Sequence, residues 1–155
     1  MEDLLRFLHV MGAIVLVGTG AGIAFFMLMA RQSRDVHAIA HVANTVVVAD
    51  ALFTASAAIA QPVTGYFLAR EIGWPLTESW LIVSIARYVL VGALWLPVVV
   101  IQMRLRDIAR ASLAANAELP PQWHRLYRIW FACGVPAFVM IVAIVALMLA
   151  RPVLW

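Results

Sequence analysis

The sequence has no lysine, a single cysteine (Cys133) and little charge of either sign: 12% of its 155 residues are charged, against about 25% in a soluble domain. Each deficit excludes something. One cysteine, lying in the last apolar stretch, gives neither a disulfide framework nor a cysteine-based metal site. There is no Walker loop, no Gly-x-Ser-x-Gly elbow, no Cys-x-x-Cys pair and no Gly-x-Gly-x-x-Gly following a strand. Nucleotide, hydrolase and dinucleotide readings therefore have no support. No polar segment is long enough to form a separate soluble domain. All eleven basic residues are arginine, and the net charge is +3. We read the arginine bias as codon usage in a GC-rich bacterial genome. The arginines sit beside apolar stretches, which points to membrane topology and lipid headgroups rather than to nucleic acid.

What is present is apolar. Hydrophobic residues make up 65% of the chain, in stretches longer than the roughly 20 residues that cross a bilayer. The expected fold is all-α, a single transmembrane four-helix bundle over residues 1–155. Its spans fall at about Leu4–Ala30, His41–Ala69, Trp80–Met103 and Ile129–Ala150. The first is too long for a signal-peptide core and has no basic segment before it, so it reads as a retained span.

Arginine counts orient the bundle. Arg31, Arg34, Arg104, Arg106, Arg110, Arg125 and Arg128 fall on one side, and Arg6, Arg70 and Arg151 on the other. The positive-inside rule then places both termini outward, in the inner membrane of a bacterium. Trp74, Trp80 and Trp155 are expected at the outer interface, and Trp123, Tyr127 and Trp130 at the inner one. Residues 104–128 read as a continuation of the third helix, with an apolar stripe at Leu105, Ile108 and Ala109, stopped by Pro120–Pro121, and as a helical hairpin cap sooner than a partner surface. His124 is expected in that connection. Gly18 and Gly22, with Gly20 between them, read as a G-x-x-x-G face that admits a neighbouring backbone. Pro62, Pro97 and Pro136 each remove one backbone hydrogen bond within a span.

Asp50 and Arg87 are the exceptions inside these stretches. Residues 36–69 contain no other charged residue, and neither do residues 79–103. A charge at membrane depth costs about 3 kcal/mol or more unless it finds a partner. A rise of about 1.5 Å per residue puts His9 about 7 Å and Arg87 about 10 Å below the outer ends of their spans. Asp50 lies roughly 12–14 Å from the inner end of its own. Two readings follow. Asp50 and Arg87 pair with each other and fix helix register, or one or both serve a proton path or an anionic cofactor group. His9 shares its half of the bundle with Gln61, Thr64 and Arg87, and an inward imidazole can ligate haem iron. Met148 is a candidate axial partner. His37 and His41, four residues apart and near Asp35, are half a metal site at most and read as interfacial.

The segments LLRFLHVMGAIVLVGTGAGIAFFM, QPVTGYFLA, LWLPVVVIQMRLR and LYRIWFACGVPAFVMIVAIVALMLARP resemble a family of small bacterial integral membrane proteins known as a domain of unknown function. The likeness covers nearly the whole chain and implies a four-span fold. More distantly, the chain is similar to J-type protoporphyrinogen oxidases and to the copper-resistance D membrane domain. In the J-type family an intramembrane histidine on the first helix and a lysine on the third handle haem or porphyrin. That resemblance maps the histidine onto His9. The lysine position falls on Ser84 if Trp80–Leu81 anchors the comparison, or on Arg87 if the helix core does. Cys133 and Gly134 stand where that family has Asn–Glu, so oxidase activity is not implied.

The leading expectation is a membrane protein that binds b-type haem or a related redox cofactor. His9 would ligate the iron, Arg87 would hold a propionate, and Asp50 would be a countercharge. Gln61 and Met148 complete that candidate site. The alternatives are a cofactor-free accessory or assembly subunit of a larger membrane complex, contacting its partner through residues 104–128, and a small transporter working as a homo-oligomer. No catalytic residue is assigned.

Overall fold

A computed structural model describes residues 1–155 as five α-helices and one π-helical turn, with no strands. They are α1 Glu2–Ser33, α2 Val36–Ala49, the π turn Asp50–Thr54, α3 Ala55–Ile72, α4 Ser79–Ala114 and α5 Pro121–Ala150. The turn joins α2 and α3 into one continuous rod, so four rods are long and apolar enough to cross a membrane.

The helix ends follow local chemistry. Arg34 takes the left-handed conformation that closes α1 (φ 58°), and Asp35 then caps α2 by accepting the His37 backbone N–H at 2.9 Å. Between them these two residues turn the chain back. Gly73 closes α3 at φ 83°, a conformation that disfavours any side chain. Pro121 opens α5 at the first helical position, where no N–H is needed. Pro62, Pro97 and Pro136 lie inside helices that continue past them.

Packing divides the bundle into two unlike halves. α4 and α5 form the most extensive pair, α2 packs on α4, and α1 bridges to α2, α3 and, less broadly, α5. α3 rests on α1, with little against α4 or α5. The hydrophobic core therefore lies in the arginine-rich half. There Met27, Ala43, Leu105, Ala109, Trp123 and Tyr127 are almost completely buried. Toward the chain termini many large apolar side chains face outward, among them Ile59, Val89, Val139 and Leu149. In a bilayer such exposure carries no hydrophobic penalty, because lipid tails are as apolar as leucine.

Five expectations need correcting. Trp123, Tyr127 and Trp130 do not form an interfacial belt; they are 0%, 2% and 4% exposed. Trp123 Nε1 donates to the Leu105 carbonyl at 3.1 Å, and Trp130 Nε1 to Gln102 Oε1 at 3.0 Å. Trp80 is likewise buried rather than interfacial. The stripe of Leu105 and Ala109 is core, as a hairpin cap requires. However, α4 ends at Ala114, and Pro121 opens α5 where it was expected to stop the preceding helix, so His124 lies in the first turns of α5 instead of a loop. Finally, a Cβ added at Gly18 would meet nothing within 4 Å, and one at Gly22 only Phe26 of the same helix. The close helix approach is elsewhere, at Gly12 against Gln61 and at Gly65 against the His9 ring.

A candidate intramembrane cavity site

The π turn defines the site. Ala55 N–H bonds back to the Asp50 carbonyl, five residues earlier instead of four. Such single-turn bulges insert one residue into a helix and recur at functional sites. Here the turn carries Asp50 inward, where it is 6% exposed. Trp95 of α4 donates its indole Nε1–H to Asp50 Oδ1 at 3.3 Å. Thr54 stands beside the same carboxylate with its hydroxyl buried.

These groups stand on the wall of a cavity of about 530 Å³ lined by α1, the π turn, α3, α4 and α5. The cavity exists because α3 diverges from α4 and α5, and because the residues along it are small. Gly20, Ala55, Ala58, Gly92 and Gly134 all line it. A Cβ at Gly92 or Gly134 would point into open space. From Tyr88 through Trp95 to Gln102 the lining follows one face of α4 for roughly 21 Å at 1.5 Å per residue. The polar side chains at both ends are satisfied. Tyr88 Oη donates to the Ala58 carbonyl at 2.6 Å, tying α4 to α3. Gln102 is satisfied by Val46 and Trp130. Asp50 is the sole charged residue on the wall.

The residues singled out from sequence fall into two groups. His9 and Gln61 meet: His9 Nδ1 lies 3.0 Å from Thr64 Oγ1, and Gln61 Nε2 donates to the His9 carbonyl at 2.6 Å. Together they fasten α1 to α3, but neither lines the cavity. Arg87 is half-buried and makes neither an ion pair nor a hydrogen bond. The Asp50–Arg87 pair is not formed. The ion pairs are Arg6–Glu2 and Arg106–Asp107, and Asp50 takes Trp95 as its donor instead. Met148 is half-buried on α5, its carbonyl accepting from Arg151, and it lies apart from the cavity. Asp35 caps α2, and His37 and His41 are exposed. No three His, Cys, Asp or Glu residues come together as a metal site.

Sequence reasoning missed Thr54, Tyr88, Gly92 and Trp95. Their signal was present in the spacing: Tyr88, Gly92 and Trp95 recur at i, i+4 and i+7, one face of a helix.

These features define a four-span helical integral membrane protein whose rods surround a cavity at membrane depth. The chain belongs to the family described as predicted integral membrane protein (DUF2269), whose model matches residues 3–152. No curated protein and no solved structure matches it, so the more distant likeness to J-type protoporphyrinogen oxidases has no counterpart in these comparisons.

Proposed function

We propose that this protein binds a lipophilic molecule with a hydrogen-bonding head group, taken up from the bilayer, with both chain termini on the outer side of a bacterial inner membrane. The observation that carries this reading is one carboxylate, Asp50, on the wall of an otherwise apolar cavity. Ligand pockets typically combine a mostly apolar lining with a few placed polar groups. An unpaired charge at that depth costs about 3 kcal/mol or more. A ligand that donates to Asp50, such as a quinol hydroxyl or an amine, offsets that cost.

Haem b fits the cavity poorly. None of the lining residues is His, Cys or Met, the side chains that most often hold haem iron. A haem held by His9 would sit instead on the α1–α3 seam, where Nδ1 is already engaged by Thr64.

The test is to purify the protein in mild detergent, extract it with organic solvent and identify the bound molecule by mass spectrometry. The double variant Gly92→Leu/Gly134→Leu fills the cavity and should lose that molecule while keeping its helix content and elution profile. Retention at the wild-type level would overturn the proposal. Oxidised and dithionite-reduced visible spectra of the same sample test haem, through a Soret band that disappears in His9→Ala.

A further inference from the structure

The arginine-rich end carries a second depression, independent of the cavity. It is a crevice of about 600 Å³ between the α1–α2 corner and the start of α5. Arg31, Gln32, Arg34, Glu118, Trp123 and His124 line it. Neither arginine has a carboxylate within ion-pair reach. Arg31 instead lays its guanidinium over the Tyr127 ring, 4.5 Å from the centroid. A stacked guanidinium keeps its edge N–H donors available. Arg34 stands at the left-handed corner residue, which holds its backbone at one point of the rim. Two arginines against one Glu118 leave the crevice with a positive balance before His124 is counted.

We propose that this crevice binds a phosphate-bearing group. Paired guanidiniums match phosphate oxygens in geometry and charge. The same crevice is floored by apolar groups, including Leu28, Val36 and Ile39, so it suits an amphipathic phosphate as well as a free one. Basic pockets between transmembrane helices on this side of a membrane hold lipid head groups by the same chemistry. The source is therefore either an anionic phospholipid or a soluble phosphate compound.

Native mass spectrometry of the full-length protein from mild detergent, with added phosphatidylglycerol or phosphatidylcholine, separates the outcomes. Phosphatidylglycerol adducts should exceed phosphatidylcholine adducts, and Arg31→Gln/Arg34→Gln should lower them roughly tenfold. Arg104→Gln/Arg106→Gln, on the same side but outside the crevice, should leave them unchanged. Arg31 contributes to packing over Tyr127, so Arg34→Gln alone, at an exposed corner, repeats the test without that contact. A thermal shift with sodium phosphate that depends on Arg31 and Arg34, in the absence of a lipid preference, would assign the crevice to a soluble phosphate compound. Equal loss in the Arg104/Arg106 control, or no response to either probe, overturns the proposal.

Discussion

Trp95 of α4 donates its indole N–H to Asp50 on the π turn at 3.3 Å, and this is the one side-chain hydrogen bond that reaches the buried carboxylate from another helix. Removing the donor leaves the acceptor buried and unmatched, which costs about 1–3 kcal/mol. Trp95→Phe should therefore lower the thermal unfolding midpoint in detergent, while Asp50→Asn, which keeps an acceptor oxygen and removes the charge, should match or exceed the wild type. A drop in Asp50→Asn with no change in Trp95→Phe would mean that the charge on Asp50, and not its hydrogen bond, sets the stability.

Filling the cavity is expected to leave the fold intact. A glycine inside a helix is less favourable than leucine by roughly 0.5–1 kcal/mol, and open space lies beyond both Gly92 and Gly134. Gly92→Leu should thus match or exceed the wild-type unfolding midpoint while reducing binding of the extracted lipophile.

Close helix approach should be sensitive at Gly12 and indifferent at Gly18. A side chain at Gly12 would collide with the Gln61 amide, which is already committed to the His9 carbonyl. Gly12→Val should cost about 1–3 kcal/mol by overpacking. Gly18→Ala should stay within about 0.5 kcal/mol. Parallel urea or thermal titrations of the two variants check the difference, and a large loss at Gly18 would restore the G-x-x-x-G reading.

The polar lock at the cavity floor should behave as one unit. Trp130 Nε1 donates to Gln102 Oε1, and Gln102 Nε2 donates to the Val46 carbonyl, so three helices meet at one amide. Gln102→Leu leaves the buried Trp130 indole N–H without an acceptor, while the Val46 carbonyl keeps the Asp50 backbone N–H, and should destabilise by about 1–3 kcal/mol. Adding Trp130→Phe to Gln102→Leu should cost clearly less than the sum of the single changes. Additive losses would mean that the two side chains act separately.

Much of the architecture was legible because length and apolarity alone decide what can cross a bilayer. The four rods and the connections near Arg34 and within 70–79 followed from that, whereas α4 ends at Ala114, before the prolines expected to stop it. What escaped was anything that depends on which face of a helix is buried. In water, burial shows as an alternation of apolar and polar residues. That contrast is present at the start of α5, where Gln122, His124 and Arg125 are exposed around buried Trp123 and Tyr127, but tryptophan and tyrosine beside arginine are also the mark of a membrane interface. Trp123, Tyr127 and Trp130 therefore looked interfacial, although they are core. Asp50 announced itself by charge, whereas its partner Trp95 carried no such mark. His9 drew attention as a possible ligand, but its hydrogen bond to Thr64 belongs to a helix seam.

One extra residue, inserted at Asp50–Thr54, offsets the two segments it joins by about 100° of helical phase. α2 consequently addresses α4, while α3 turns toward α1. Deleting Ala51 would bring the rod back into phase. The closed arginine-rich half and the parted half beyond it would then compete for a single orientation of the helix. The hollow is thus a matter of counting: a bundle one residue shorter at this point would have no means of being solid at one end and open at the other.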